Sequence, residues 1–234
     1  MAVSVASRPG FDSTTHRLGS SLETISADDT SLTAAIKDNV LSNINTKYND
    51  EENFLIVSPY EEKPHLLDLR TLDTTNQLLA KALVGLKCVR EDYSTAPYID
   101  IFNWPEVVDS VHRMAELSDF KWTESSFYIV VFRSRIPPTT VYADLGVLDK
   151  AAHAEATESG GFLKYWFGSP DGHGRNLATC VWRSPHDARV GSVGEAHRKA
   201  AGATRSLYTE WKIERLRLLI KDDAQDWEIS EWVD

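Results

Sequence analysis

The chain has 234 residues, 42% apolar and 26% charged, ordinary for a globular protein and long enough for one large domain or two small ones. Its 25 Lys and Arg against 35 Asp and Glu leave a net charge of −10, a field that repels phosphate backbones and anionic lipid. No apolar run approaches the roughly 20 residues of a membrane helix, and the N-terminus lacks the apolar core of a secretory signal. The expected setting is cytoplasmic, with neither nucleic acid nor membrane as a partner.

Residues 1–28, rich in Ser and Thr, read as a disordered tail. Residues 29–121 read as an N-terminal α/β extension. Leu32, Ile36, Val40 and Ile44 recur at helical spacing behind a cap at Asp29, Thr30 or Ser31. "ENFLIVSPY" is a strand stopped by Pro59, and "PHLLDLRTLD" a second strand. "TTNQLLAKALVGL" is a Thr-capped helix, "PYIDIFNW" is extended, and "WPEVVDSVHRMAEL" is an amphipathic helix with Pro105 in its first turn.

Residues 122–234 alternate more regularly. "SFYIVVFRSRI" is a β-branched and aromatic strand. "TTVYADLGVLDKAAHAEATES" is a helix, with Leu145, Leu148 and Ala152 on one face, ended by Gly160-Gly161. "FLKYWFG" and "NLATCVWRS" are strands joined by the turn "SPDGHGR", whose Pro-Asp-Gly is a turn signal. A helical region opens at Pro185, broken near Gly191 to Gly194, and "IERLRLLIK" is the fourth strand before the extended ending "DWEISEWV". The order β-α-β-β-α-β defines an α+β, ferredoxin-like antiparallel sheet with both helices on one face.

Period-two alternation puts Leu163, Tyr165 and Phe167 on one face of their strand and Phe162, Lys164 and Trp166 on the other. In the next strand, Leu177, Thr179, Val181 and Arg183 oppose Ala178, Cys180 and Trp182. Both faces carry large apolar groups, so both are expected to be covered. The helices supply one cover; either a second subunit, making a homodimer, or the N-terminal half supplies the other.

The runs "FRSRIPP", "LDKAAHAEATESGGFLKYWFGSPDGHGRNLATCVWRS", "HRKAAGATRSLY" and "RLRL…WEISEWVD" are similar to an uncharacterised family of fungal proteins, over residues 50–234. At fold level the 122–234 half resembles the dimeric α/β-barrel proteins, which include antibiotic-biosynthesis monooxygenase-like and stress-response members. That wider resemblance implies a ligand between sheet and helices and leaves the activity open.

Within such a cleft the candidate catalytic residues are His153, His197 and Tyr208. His153 follows Asp149 by four residues, so the pair forms either a ring-orienting contact suited to a general base or an exposed ion pair. His197, Ala201, Thr204, Tyr208 and Trp211 form one stripe of apolar bodies and polar tips. Lys164, Tyr165, Trp166, Trp182, Arg183 and Trp211 are the candidate substrate-binding residues. Arg183 meets either an anionic group or Asp187. His173 and Arg175 fall in the turn.

Cys88 and Cys180 lie in apolar surroundings outside any CxxC pattern and read as reduced thiols. There is no GxSxG, HExxH or Walker sequence, and "GSPDGHG" lacks the order of a dinucleotide loop, so no metal or nucleotide cofactor is expected. Two functional classes fit. One is a small-molecule enzyme of secondary metabolism acting by acid/base catalysis on an apolar or polycyclic metabolite, of isomerase, cyclase, dehydratase or cofactor-free oxygenase type. The other is a non-catalytic dimeric ligand-binding or stress-related module.

Overall fold

The computed structural model describes residues 53–138 and 142–233, without the side chains of 142–144 and 204–206. The expected tail at 1–28 and the helix drawn from Leu32 to Ile44 lie outside the described residues.

The chain enters through a small antiparallel pair, β1 (Phe54–Ile56) and β2 (Leu66–Asp68), in which Leu55 faces Leu67. β2 is shorter than the strand expected there, because Lys63–His65 and Leu69–Thr71 turn as single 3-10 turns on either side of it. Helix α1 (Thr74–Leu83) is capped by Asp73 rather than by a Thr: the carboxylate accepts from the Asn76 backbone N–H at 2.9 Å. Tyr98–Asp100, expected to be extended, is a 3-10 turn. Helix α2 (Trp104–Leu117) has Pro105 in its first turn and buries Trp104, Val107, Val108, Val111, Met114 and Ala115, the stripe its spacing dictates.

Strand β3 (Ser125–Arg135) leads into α3 (Tyr142–Ser159), then the hairpin β4 (Phe162–Phe167) and β5 (Arg175–Trp182). The helical region after Pro185 is two helices, α4 (Pro185–Val190) and α5 (Glu195–Leu207). At the break a Cβ on Gly194 would meet the Glu155 carboxylate at 1.9 Å, so a larger residue there must displace that side chain. Strands β6 (Glu210–Ile220) and β7 (Trp227–Glu231) complete the chain. The sheet order is β4-β5-β3-β6-β7, every neighbour antiparallel. The first four strands have the ferredoxin-like arrangement, with β7 added at the edge.

Two details decide which side chains meet. A bulge lies between Phe162 and Lys164, so Phe162 pairs with Trp182 while Tyr165 pairs with Cys180. Strict alternation fails there, and Phe162 joins the face of Tyr165 and Phe167 instead of the face of Lys164 and Trp166. The second detail is the cover of that other face. Tyr98 and Thr179 share a hydrogen bond of 2.9 Å, and Trp166 packs edge-on against Tyr93 and Phe102. The Arg133 guanidinium donates to the carbonyls of Ser94 and Ala96 at 2.9 and 2.7 Å and pairs with Glu214. The chain's own residues 93–104 thus occupy the face that a second subunit was one way to cover.

Candidate functional site

Helix α3 turns toward the sheet not a run of large aliphatic side chains but Asp149, Ala152, His153 and Ala156. Ala152, His153 and Ala156 are all buried. Residues 149 and 153 share a face because they are four apart. The small alanines let the helix sit close, and the two polar groups must then find partners inside the protein.

They find them in different places. The Asp149 carboxylate accepts from the Tyr60 hydroxyl at 2.6 Å and from the Tyr165 hydroxyl at 2.5 Å. His153 meets His65 across the segment joining β1 to β2, with the two Nδ1 atoms 2.9 Å apart. Both imidazoles are buried, 4% and 5% exposed. The direct Asp149 contact expected from spacing is therefore replaced by two tyrosyl hydroxyls on the carboxylate and a second imidazole on His153. The exposed ion pair, the other expectation, is overturned by the burial of His153.

Aromatic rings wall this cluster. The rings of Phe162, Tyr60 and Tyr165 stand 5.1, 5.2 and 5.5 Å from that of His153. Trp182 packs against Phe162 at 4.8 Å and donates its indole N–H to the Cys180 sulfur at 3.0 Å. Burial then sets the protonation states. It pushes His153 down to about 3, helped by the charges of His65 and His197, and it lowers His65 too. Burial also raises the Asp149 carboxyl and the Tyr165 phenol above their usual ranges, and pushes the Cys180 thiol up to about 12.

Two neutral imidazoles facing Nδ1 to Nδ1 need one donor and one acceptor. If His153 donates, its Nε2 is a bare lone pair; if it accepts, Nε2 carries the proton. The Nε2 of His153 is buried and makes no hydrogen bond. Uptake of a proton at Nε2, with the Nδ1 proton passing to His65, thus converts that atom from base to acid.

An open groove of about 890 Å³ runs along the other side of α3, between the β1–β2 hairpin and α5. Leu66, Leu67, Leu148, Ala151 and Ala154 give it an apolar floor, and Lys63, Glu158, Glu195 and Lys199 charge its rim. Thr157 links groove and cluster. It lines the groove, donates to the His153 carbonyl at 2.9 Å, and lies 3.4 Å from His153 Nδ1.

With this geometry in view, the comparisons with known proteins place the chain. A model of the PB2B2.08-like family matches residues 56–231. The chain belongs to that family. The UPF0643 protein PB2B2.08 of Schizosaccharomyces pombe (strain 972 / ATCC 24843) is 40% identical over 177 residues, covering 72% of this chain and 80% of that protein. The family match over residues 56–231 takes in both the His65 segment and α3. Among solved structures, Rv0793 from Mycobacterium tuberculosis is 16% identical with a TM-score of 0.35, covering 38% of this chain and 92% of that one. SnoaB, a cofactor-independent oxygenase from Streptomyces nogalater, is 15% identical with a TM-score of 0.33, covering 39% of this chain and 90% of that one.

In this family member the sequence-derived candidates His153, Tyr165 and Trp182 come together in this cluster, and the others lie elsewhere. His197 sits at the start of α5, where its Nδ1 lies 2.8 Å from Glu155. Tyr208 follows the end of α5 and Trp211 is on β6, so the stripe drawn from His197 to Trp211 does not continue as a helix. They stack on each other at 4.9 Å, and Phe132 joins them. Lys164 and Trp166 are on the opposite sheet face, under the N-terminal half. Arg183 forms a two-pronged pair with Asp187, at 3.0 and 2.8 Å. His173 is in the turn, while Arg175, expected there, is the first residue of β5; the Asp171 carboxylate accepts from both backbone N–H groups.

Tyr60 and His65 were missed. They lie in "SPYEEKPHLL", 88 or more residues from their partners, and no local pattern reaches that far. The available signal was an aromatic and a His each directly after a proline, in a segment too short to have a core of its own.

Glu155 is more than a solvated charge. Its carboxylate accepts from the backbone N–H groups of Ala196 and His197 at 3.1 and 3.0 Å, capping α5 from the neighbouring helix, and these bonds pull its pKa down to about 2. Glu155→Ala is expected to loosen α5, with faster amide exchange at Ala196 and His197 and a cost of about 1 kcal/mol. Unchanged exchange there would show that the cap contributes nothing.

Proposed function

We propose that this protein is a small-molecule enzyme, using neither metal nor nucleotide, that moves a proton on an apolar metabolite through the His65–His153 pair. The observation that supports it is the buried imidazole pair itself, walled by aromatic rings, with one ring nitrogen left unbonded. His153 kept neutral by burial is suited to accept a proton at Nε2. It can pass its Nδ1 proton to His65 at 2.9 Å in the same event, so the positive charge leaves the reacting atom. Proton transfer of this kind serves isomerisation, dehydration, cyclisation and cofactor-free oxygenation alike. The two free thiols agree with a reducing, cytoplasmic setting.

A second reading, a non-catalytic ligand carrier, is favoured by the groove, which is open while His153 is enclosed. One experiment separates the two. Wild type and the double variant His65→Leu/His153→Leu are screened against apolar metabolites, with binding read by thermal shift and turnover by mass spectrometry. The enzyme reading expects turnover in wild type alone. Binding without turnover in both proteins would leave the carrier.

A further inference from the structure

We propose that residues 58–65 are a gate over the His65–His153 pair, swinging about Val57 and Leu66 to admit the substrate. The idea of a substrate rests on the reading above; the gate does not, and is tested without a ligand.

The segment is fixed at both ends. The Val57 carbonyl accepts from the Tyr165 N–H at 2.9 Å, and Leu66 pairs with Ile56. Between these anchors its backbone bonds are local. The Tyr60 N–H turns back to the Ser58 hydroxyl, and the His65 N–H to the Glu62 carbonyl. Its grip on α3 is through side chains, in three pairs along just over one helical turn: Tyr60 with Asp149, Glu62 with Lys150, and His65 with His153. Among the described residues these ties to α3 run through side chains, so the stretch can leave α3 without breaking any strand or helix. Pro59 and Pro64 stiffen it near either end, so it is built to move as one piece.

The gate also explains an otherwise awkward pairing of facts. The pair that holds the proton is more than nine-tenths buried. The groove that could deliver a molecule is partly lined by the gate itself, at Lys63 and Pro64. Raising the segment joins the groove to the pair. The same motion separates His65 from His153, so closure after entry would restore the proton relay.

The test uses Glu62→Ala/Lys150→Ala, which removes the outermost grip and touches neither histidine. Reaction of His153 with diethyl pyrocarbonate is followed by peptide mass spectrometry, alongside amide exchange of the central strand at Ile129 and Val131. The expected result is modification about threefold faster, the scale of a lost surface ion pair, with central-strand exchange unchanged. The reverse arm joins the two sites as Glu62→Cys/Lys150→Cys. Its disulfide form should react more slowly than its reduced form. A rate that stays at the wild-type value in the first variant, or that rises only together with central-strand exchange, overturns the gate. So does a tethered form that reacts as fast as the reduced one.

Discussion

His153→Leu alone is expected to cost the fold about 1–3 kcal/mol, because it leaves the His65 Nδ1 buried with no partner. His65→Leu should cost toward the low end of that range, because Thr157 Oγ1 remains 3.4 Å from His153 Nδ1. The double variant should not cost the sum. Replacing both partners with apolar groups of comparable size removes the unmet hydrogen bond altogether, and burial in the ring-walled site suits leucine. Urea denaturation of the four proteins closes the cycle, and a coupling of about 1–3 kcal/mol is the expected reading. If the costs simply add, the two imidazoles do not interact and the proton relay has no physical basis. The recovered stability of the double variant is also what makes it a clean loss-of-function control, since activity lost from a well-folded protein is chemistry lost.

The second large effect is on pH. The sign follows from burial. His153 titrates near 3 in the folded protein against an ordinary value of 6.5, so between those limits the unfolded chain binds the extra proton. Stability from this group is fully present above about pH 6.5 and falls as the pH drops toward 3, by about 2–3 kcal/mol on reaching pH 4.5. His65, lowered by the same cause, adds in the same direction. Asp149 acts oppositely: its raised pKa gives a contribution present at low pH and lost as the pH rises through its folded value. Urea midpoints at pH 7 and pH 5 should therefore differ clearly in wild type and much less in His65→Leu/His153→Leu. An equal fall in both proteins would assign the acid sensitivity to carboxylates elsewhere. The ring protons of His153 should show no titration by NMR down to pH 5.

Much of the scaffold was legible in the residues. Pro105 and the Val107–Val111 spacing marked α2, the β-branched run around Ile129 marked β3, and Pro-Asp-Gly marked the β4–β5 turn. These signals are local: a proline's fixed φ, a helical repeat and a turn carboxylate act within a few residues. The errors arose where a longer-range constraint won. The bulge at Leu163 turned Phe162 to the other face, and the helix stripe from His197 stopped where Leu207 gives way to β6. Asp149 and His153 were placed on one face correctly, yet their partners were not each other, since which groups meet a helix face is decided by what packs on it.

The amino-acid sequence by itself determined the order of elements, the ferredoxin-like sheet and the presence of polar groups on α3, because periodicity and turn chemistry are written within each element. Only the tertiary structure decided that residues 93–104 cover the second sheet face and that His65 crosses 88 positions to meet His153. The physical reason is desolvation. Once α3 lies against the sheet, its Asp and His cannot stay unpartnered, and the groups they meet from other elements are Tyr60, His65 and Tyr165, brought there by the packing of the whole chain.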